Sequence, residues 1–201
     1  MEFAFTQEHL MIRDSAERFL ATASDSHAVR ATMSRADGYD PEVWQRIGLE
    51  LCWPALMVPE RFGGMGLGFV ELAILLEQSG RFLLGSPLFA TTCLATPALL
   101  SGHNPALQER WLSAIAGGET RATLAFASGP GWDAHSVQTV ARACTGGFNL
   151  SGCYAQVIDG AQADLLIVAA RTPGSEGESG ISLFAVDAAT PGVERTALPK
   201  C

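Results

Sequence analysis

Positive charge is scarce in this chain, and lysine is all but missing. Lys200 is the lone lysine, twelve arginines are scattered along the length, and the formal net charge is −8. No basic stripe exists to neutralise phosphates, which excludes a nucleic-acid-binding function. Any anionic ligand would have to be held by local arginines and backbone amides against an unfavourable overall field. Charged residues of both signs make up only 17% of the 201 residues, and the mean hydropathy is +0.19. Even so, no apolar run reaches the length of a membrane span, because glycine, proline or charge interrupts each one. Glu2 and Glu8 precede the first arginine, which is not the basic-then-apolar pattern of a signal peptide. These absences point to a soluble, cytoplasmic protein with apolar surface to spare for a partner.

Metal and nucleophile signatures are missing as well. The five cysteines, at 52, 93, 144, 153 and 201, include no pair at metal-ligand or redox spacing. They read as buried thiols in a reducing compartment. His9, His27, His103 and His135 show no i, i+4 pairing and no cysteine neighbours, so zinc has no ligand set. No Gly-x-Ser-x-Gly elbow supports an esterase nucleophile.

What is present divides into two halves of different periodicity. The first ~118 residues follow helical spacing. Thr6 caps a first helix with Leu10, Met11, Phe19 and Leu20 on its inner stripe. Asp40-Pro41-Glu42 opens a second, carrying Trp44, Ile47 and Leu51. A third, over 69–80, buries Leu72, Ala73, Leu75 and Leu76, and a fourth, near 88–100, is apolar almost all round. Asn104-Pro105 caps a fifth, with Leu107, Trp111, Leu112 and Ile115, which Gly117-Gly118 ends. From Glu119 the pattern turns to short runs of period two, which predict strands over 122–127, 137–143, 148–150, 164–170 and 181–186. Thr145-Gly146-Gly147 and Asp159-Gly160 read as hairpin turns, residues 172–180 as a polar connection, and Pro191-Gly192-Val193 as the opening of one more strand. The predicted fold is α+β: an all-α helical bundle over 1–118, then an incomplete antiparallel, barrel-like β-domain over 119–201. A sheet cut short there would carry an unpaired edge.

Between the second and third helices lies Val58-Pro59-Glu60-Arg61-Phe62-Gly63-Gly64-Met65-Gly66-Leu67-Gly68. A dinucleotide-binding turn would read G-x-G-x-x-G after a buried strand. The spacing here is G-G-x-G-x-G, so a tight turn that sets a helix against its neighbour competes with any phosphate cradle. As a word, the segment resembles the Pro-Glu-x-(Phe/Tyr)-Gly-Gly-x-Gly element of the acyl-CoA dehydrogenase family. Further stretches resemble that family in the same order: Met1 to Glu8, Leu76 to Arg81 with Ser86-Pro87-Leu88, Gln108 to Leu112 with Ala116 to Glu119, and Asp159 to Val168.

The resemblance implies FAD as cofactor and an acyl-CoA thioester as substrate, in fatty-acid or steroid side-chain oxidation. The partners it implies are an electron-transferring flavoprotein and further subunits of a homo- or hetero-oligomer. In the family a carboxylate takes the α proton while hydride leaves the β carbon for the flavin, and hydrogen bonds to the thioester carbonyl acidify the α carbon. The family's catalytic glutamate lies in a C-terminal helical bundle that this sequence does not contain, so no catalytic residue is assigned here. Phe126-Ala127-Ser128-Gly129-Pro130-Gly131-Trp132-Asp133 is similar to the family's Thr-Glu-Pro and Gly-Ser-Asp segment. By that likeness Phe126 and Ala127 contact the cofactor, and Trp132 and Asp133 the substrate. Tyr154-Ala155-Gln156-Val157-Ile158 corresponds to a Lys-x-Trp-Ile-Thr pattern, which places Gln156, Val157 and Ile158 at the flavin. Gly131 and Asp133 keep the family's residue types, while Phe126, Ala127, Trp132, Gln156 and Ile158 depart from them. Two lost hydroxyl partners cost a flavin about 1 kcal/mol each.

Three functions stay open at this point. One is the front portion of a flavin-dependent acyl-CoA dehydrogenase. Another is a non-catalytic partner subunit, whose homologous neighbour supplies flavin and base. The third, on composition alone, is an α+β domain for a hydrophobic ligand or protein partner. Separately, Phe126, Trp132 and Ile158 could simply pack a β-core instead of meeting a flavin.

Overall fold

A computed structural model describes residues 4–129 and 131–198. Met1 to Phe3, Pro130, Lys200 and Cys201, all used in the reading above, lie outside the described residues. Among the described residues six α-helices precede five strands: α1 (Gln7–Ala23), α2 (Ser26–Ser34), α3 (Pro41–Leu49), α4 (Phe69–Arg81), α5 (Thr96–Ser101) and α6 (Pro105–Ala116), then β1 (Ala122–Ala125), β2 (Val140–Cys144), β3 (Gly147–Ser151), β4 (Leu165–Arg171) and β5 (Ile181–Asp187). No described helix is long and apolar enough to cross a membrane.

The caps expected from sequence form. Thr6 Oγ1 accepts from the His9 amide at 3.2 Å, Asp40 Oδ1 from that of Glu42 at 2.9 Å, and Asn104 Oδ1 from that of Leu107 at 3.2 Å. Helix α2 escapes a periodicity reading because none of its residues is buried, although Asp25 caps it through the Ala28 amide at 2.8 Å. On α1 the inner stripe is shorter than expected. Ala16, Phe19 and Leu20 are buried, whereas Leu10 and Met11 are exposed. On α4 the buried set is Leu72, Ile74, Leu75 and Gln78, with Ala73 outside it.

The expected fourth helix is present but irregular. Residues 90–95 form a π-helical turn that runs straight into α5. Its side chains serve as backbone partners: Thr92 Oγ1 donates to Leu88 O at 2.7 Å and Thr96 Oγ1 to Thr91 O at 2.8 Å. Thr91 Oγ1 accepts from the Ala122 amide at 3.1 Å and donates to its carbonyl at 3.2 Å. One hydroxyl thus takes the place of a neighbouring strand on the outer edge of β1, which would otherwise present unpaired polar groups.

The glycine cluster is the tight turn. Gly63 and Gly66 have φ of 81° and 64°, and residues 65–67 fold back on 55–58 through bonds of 2.9–3.0 Å. Every amide from 63 to 68 is spent inside the protein, the last on Glu71 Oε2 at 2.8 Å. None is left to cradle a phosphate. Glu71 also meets His9 Nε2 at 2.9 Å, which ties the start of α4 to α1. Its carboxyl is held below its usual range, first by its own backbone amide and then by His9.

The expected α+β plan, helices followed by an incomplete sheet, is present, but the sheet is mixed rather than all antiparallel. β1 runs parallel to β4, with Ala122 opposite Leu165, and β2 joins the same edge of β4 in parallel at Val140 opposite Arg171. β5 lies antiparallel along the other edge, and β2–β3 is an antiparallel hairpin closed at Thr145-Gly146. The result is an open mixed sheet, not a closed barrel. Asp159-Gly160 makes a turn but no hairpin, since 152–158 is not a strand. Residues 191–198 form no strand either, and Val193 reaches the sheet only through packing. The expected strand over 137–143 begins instead at Val140: the Val137 carbonyl is taken by the Arg171 side chain, while the Thr139 carbonyl accepts from the Arg171 amide as the bond that makes the parallel pair Val140–Arg171.

Helices and sheet share one core. Leu112, Ile115 and Trp111 of α6 pack with Ala122, Leu165 and Ile167 of the sheet, and with Val58 and Phe62 beside the glycine turn. A second cluster, centred on Leu20, Ile47, Leu75 and Leu88, lies within the helices. Each fully buried Leu or Ile contributes about 1.5–3 kcal/mol.

The turn yields a contrast of two substitutions. A Cβ at Gly64 would fall on the Val58 carbonyl, whereas one at Gly63 meets open space and only its positive φ opposes it. Gly63→Ala is expected to lower the unfolding free energy by about 1 kcal/mol. Gly64→Ala is expected to lower it by about 3 kcal/mol or more, because backbone must move. Urea titrations of the two variants against the parent check the order.

Candidate functional site

Between β1 and β2 the chain leaves the sheet and comes back to the same edge of β4, so residues 126–139 form an excursion rooted at both ends. Ala127 is buried and Phe126 half-buried, as expected for residues that continue a core strand. Trp132 is 63% exposed and lies parallel to the Phe126 ring, with centroids 6.0 Å apart and planes 6° apart. Asp133 caps the turn Ala134–Ser136, its Oδ1 accepting from both the hydroxyl and the amide of Ser136 at 3.0 Å. Those bonds, the hydroxyl's first, hold the Asp133 carboxyl below its ordinary range. Ser136 returns through its carbonyl to the Ser128 amide at 2.9 Å. The Ser128 hydroxyl is buried and has no hydrogen-bond partner among the described residues.

The second candidate segment is brought to the same strand. Thr123 Oγ1 donates to the Ile158 carbonyl at 2.6 Å, pinning 156–158 to β1. Gln156 sits at φ 55° with its side chain exposed, Ile158 is exposed, and Val157 packs with Ala125, Leu166 and Val168 under the sheet. The structure therefore joins Phe126 to Trp132 by a stack and Trp132 to Asp133 by sequence, and tethers Ile158 to the base of the excursion. No described contact links Gln156 or Val157 to Phe126 or Trp132.

Four participants were not singled out by sequence reasoning: Thr123, Ser128, Asp159 and Arg171. Thr123 looks like an ordinary strand residue, and Ser128 like a loop residue. An arginine closing the apolar run Leu165–Ala170 is the one sequence signal that marked a buried cation in advance. Asp159 occupies a left-handed position, φ 52°, directly after Ile158. Burial pushes its carboxyl up to about 6, and its side chain has no hydrogen bond among the described residues. Chemically, the face presents an aromatic wall, an exposed amide at Gln156 and a carboxylate at Asp133 already committed to a cap, and the excursion holds two buried hydroxyls without a hydrogen-bond partner among the described residues, Ser128 and Thr139. Among the described residues no cluster of three potential metal ligands occurs.

Comparison with known proteins places these features in context. The profile described as "Acyl-CoA dehydrogenase, N-terminal domain" matches residues 6–119. Cyclohex-1-ene-1-carbonyl-CoA dehydrogenase of Geobacter metallireducens is 30% identical over 187 residues, covering 91% of this chain and 47% of that protein. The ChsE4-ChsE5 complex from Mycobacterium tuberculosis superposes with a TM-score of 0.86 at 27% identity, over 98% of this chain and 52% of the matched one. PigA with FAD and proline superposes at 0.79 with 25% identity, over 96% and 51% of the two chains. The chain spans between about a third and about half of the length of the curated relatives it matches.

Asp159 gives the site a pH dependence of definite sign. An aspartate in the unfolded chain titrates near about 3.9. The folded carboxyl keeps its proton to about 6. Stability is therefore unaffected at low pH and falls as pH rises from about 4 to about 6, because the folded state binds the extra proton. Above that window the loss is complete, at most about 3 kcal/mol. Asp159→Asn, which still tolerates the left-handed backbone, is expected to match the parent below about pH 4 and exceed it above about pH 6. Urea midpoints of the two proteins across that range are the check.

Proposed function

The chain belongs to the acyl-CoA dehydrogenase family, and on that premise we propose that it supplies the helical part and the flavin-facing sheet of an enzyme that dehydrogenates a CoA thioester between its α and β carbons. We place the boundary between its two domains at 118/119 and the protein in a reducing, cytoplasmic compartment, which suits free thiols at Cys52 and Cys93, half-buried, and at Cys144 and Cys153, exposed where the sequence predicts burial.

The observation that carries this reading is the Ser128 hydroxyl, buried without a described partner in the stretch that resembles the family's flavin segment. An orphaned buried hydroxyl is costly unless something meets it. It suits one polar edge of a flavin, while Phe126 and Trp132 suit its apolar ring. Gln156 offers an exposed amide, and the 156–158 backbone is held ready by Thr123. When bound, FAD supplies the hydride acceptor. The residues of this chain bind and orient, with Trp132 as the wall against an acyl group. Asp133 is committed to Ser136. The carboxylate that takes the α proton comes, on this reading, from a helical segment or subunit outside these 201 residues, and electrons leave through an electron-transferring flavoprotein.

A second reading has its own observation. Phe126 and Trp132 stack on each other at positions where the family carries a threonine and a serine. That substitution removes side-chain donors, which suits a subunit that shapes a hetero-oligomer while its partner carries the flavin. A solved relative is itself a complex of two different chains, ChsE4 and ChsE5.

Purification of the native protein from its source separates the readings. Flavin is quantified per chain after denaturation, and acyl-CoA-dependent reduction of a dye acceptor is assayed. One flavin per copy of this chain, with thioesters oxidised and free acids ignored, is the expected result. Flavin present only in stoichiometry with a second dehydrogenase chain selects the partner-subunit reading. No flavin and no acyl-CoA oxidation in any fraction that contains this chain overturns both.

A further inference from the structure

Arg171 closes β4 after six apolar residues and is only 8% exposed. Its guanidinium has no carboxylate partner among the described residues. Carbonyls alone hold it, and they come from two loops. Nε donates to Val137 O and Nη2 to Ala134 O, both at 2.6 Å, on the return limb of the 126–139 excursion. Nη1 donates to Ser175 O at 3.0 Å and Nη2 to Gly177 O at 3.1 Å, in the connection between β4 and β5. The Arg171 amide adds a bond to Thr139 O at 2.9 Å. A buried cation is tolerated only when its donors are met, and the planar fork of a guanidinium can serve two loops at once. Lysine, with a single ammonium at the end of a flexible stem, cannot.

The carbonyls that Arg171 grips bracket the turn Ala134–Ser136. From that turn, Ser136 bonds the Ser128 amide at 2.9 Å and the Asp133 carboxylate at 3.0 Å. A continuous run of hydrogen bonds therefore leads from Arg171 to Ser128 and Asp133, which flank Trp132 in sequence. We propose that Arg171 is the positioning residue of this face: it sets Ser128, Trp132 and Asp133 over the sheet through the 134–137 turn and couples them to the 172–180 connection. What binds there rests on the flavin reading above. The ordering of the loops does not.

Arg171→Lys in the full chain tests this, with hydrogen exchange read by peptide and Trp132 fluorescence read by iodide quenching. Trp44, Trp53 and Trp111 are buried, so the quenchable signal belongs to Trp132. Exchange is expected to quicken about tenfold in 126–139 and 172–180 while α1–α6 keep their protection. Trp132 quenching should change with it, and FAD affinity should weaken by about tenfold. Unchanged exchange in 126–139 overturns the proposal. If the parent takes up no FAD yet the variant still loosens both loops, the positioning role stands and the flavin reading fails. Should the lysine variant not fold, Ser136→Ala takes its place. Exchange must then quicken over 128–133 with 172–180 still protected, and no change over 128–133 again overturns the proposal.

Discussion

The contact on which the rest of this molecule depends is the Arg121–Asp164 pair. Arg121 donates from Nε and Nη2 to the two carboxylate oxygens at 2.8 and 2.7 Å, and a further nitrogen meets the Tyr39 hydroxyl. The backbones join as well: the Arg121 amide reaches Asp164 Oδ2 at 3.0 Å, and the Asp164 amide reaches the Arg121 carbonyl at 2.7 Å. These bonds sit one residue before the first pair of the parallel ladder, Ala122 opposite Leu165. A bidentate, charge-assisted pair is geometrically strict, so it sets the register of β1 on β4 as well as attracting charge. Asp164 in turn holds the guanidinium more firmly protonated than usual. Tyr39 carries the same lock back to the helices, and Trp44 adds a bond from its indole to Gly118 O at 3.2 Å.

Close approach at that junction is possible because two glycines face each other. A Cβ on Gly118 would lie 2.7 Å from the Gly48 Cα, so neither position has room for a side chain. The glycine turn at 63–68 plays the matching role at the other end of the helical part, where it docks on 55–58 and launches α4. Both devices spend glycine on backbone proximity rather than on ligand binding. The candidate site lies instead on the excursion at 126–139, which the sheet roots at each end and polar side chains shape from within.

An excursion of this kind combines mobility of composition with fixity of position. Its residues include glycine, serine and an exposed tryptophan, yet its two limbs are bound to a strand whose six apolar residues are buried on both faces. The buried charge of Arg171 is a specificity device in this setting, since it has value only when both loops present their carbonyls. The Thr123–Ile158 bond does the same for the neighbouring segment. Site and scaffold are thus joined by side-chain-to-backbone bonds, which no repeat or spacing in the chain announces.

Much of the fold was legible along the chain because local chemistry dictates it. Thr6, Asp40-Pro41 and Asn104-Pro105 cap helices wherever they stand. Thr145-Gly146 makes a two-residue hairpin by itself, with Gly146 at φ 85°. The glycine turn was legible because sterics demand it locally, a Cβ at Gly64 falling on the Val58 carbonyl. Tertiary structure alone decided the rest. That β1 pairs with β4 in parallel, in register from Ala122 opposite Leu165, shows only when Arg121 meets Asp164 across 43 positions of chain. Whether Asp159-Gly160 closes a hairpin depends on what 152–158 can pair with, and the side chains of Thr123 and Val157 send that segment elsewhere. Apolar patterning told most of the buried helix residues, though not that Leu10, Met11 and Ala73 stay exposed, and it did not tell which are buried together. Caps and turns are settled by bonds a few residues long, whereas the sheet's register and the site's shape are settled by buried hydrogen bonds between segments that meet only once the chain has folded.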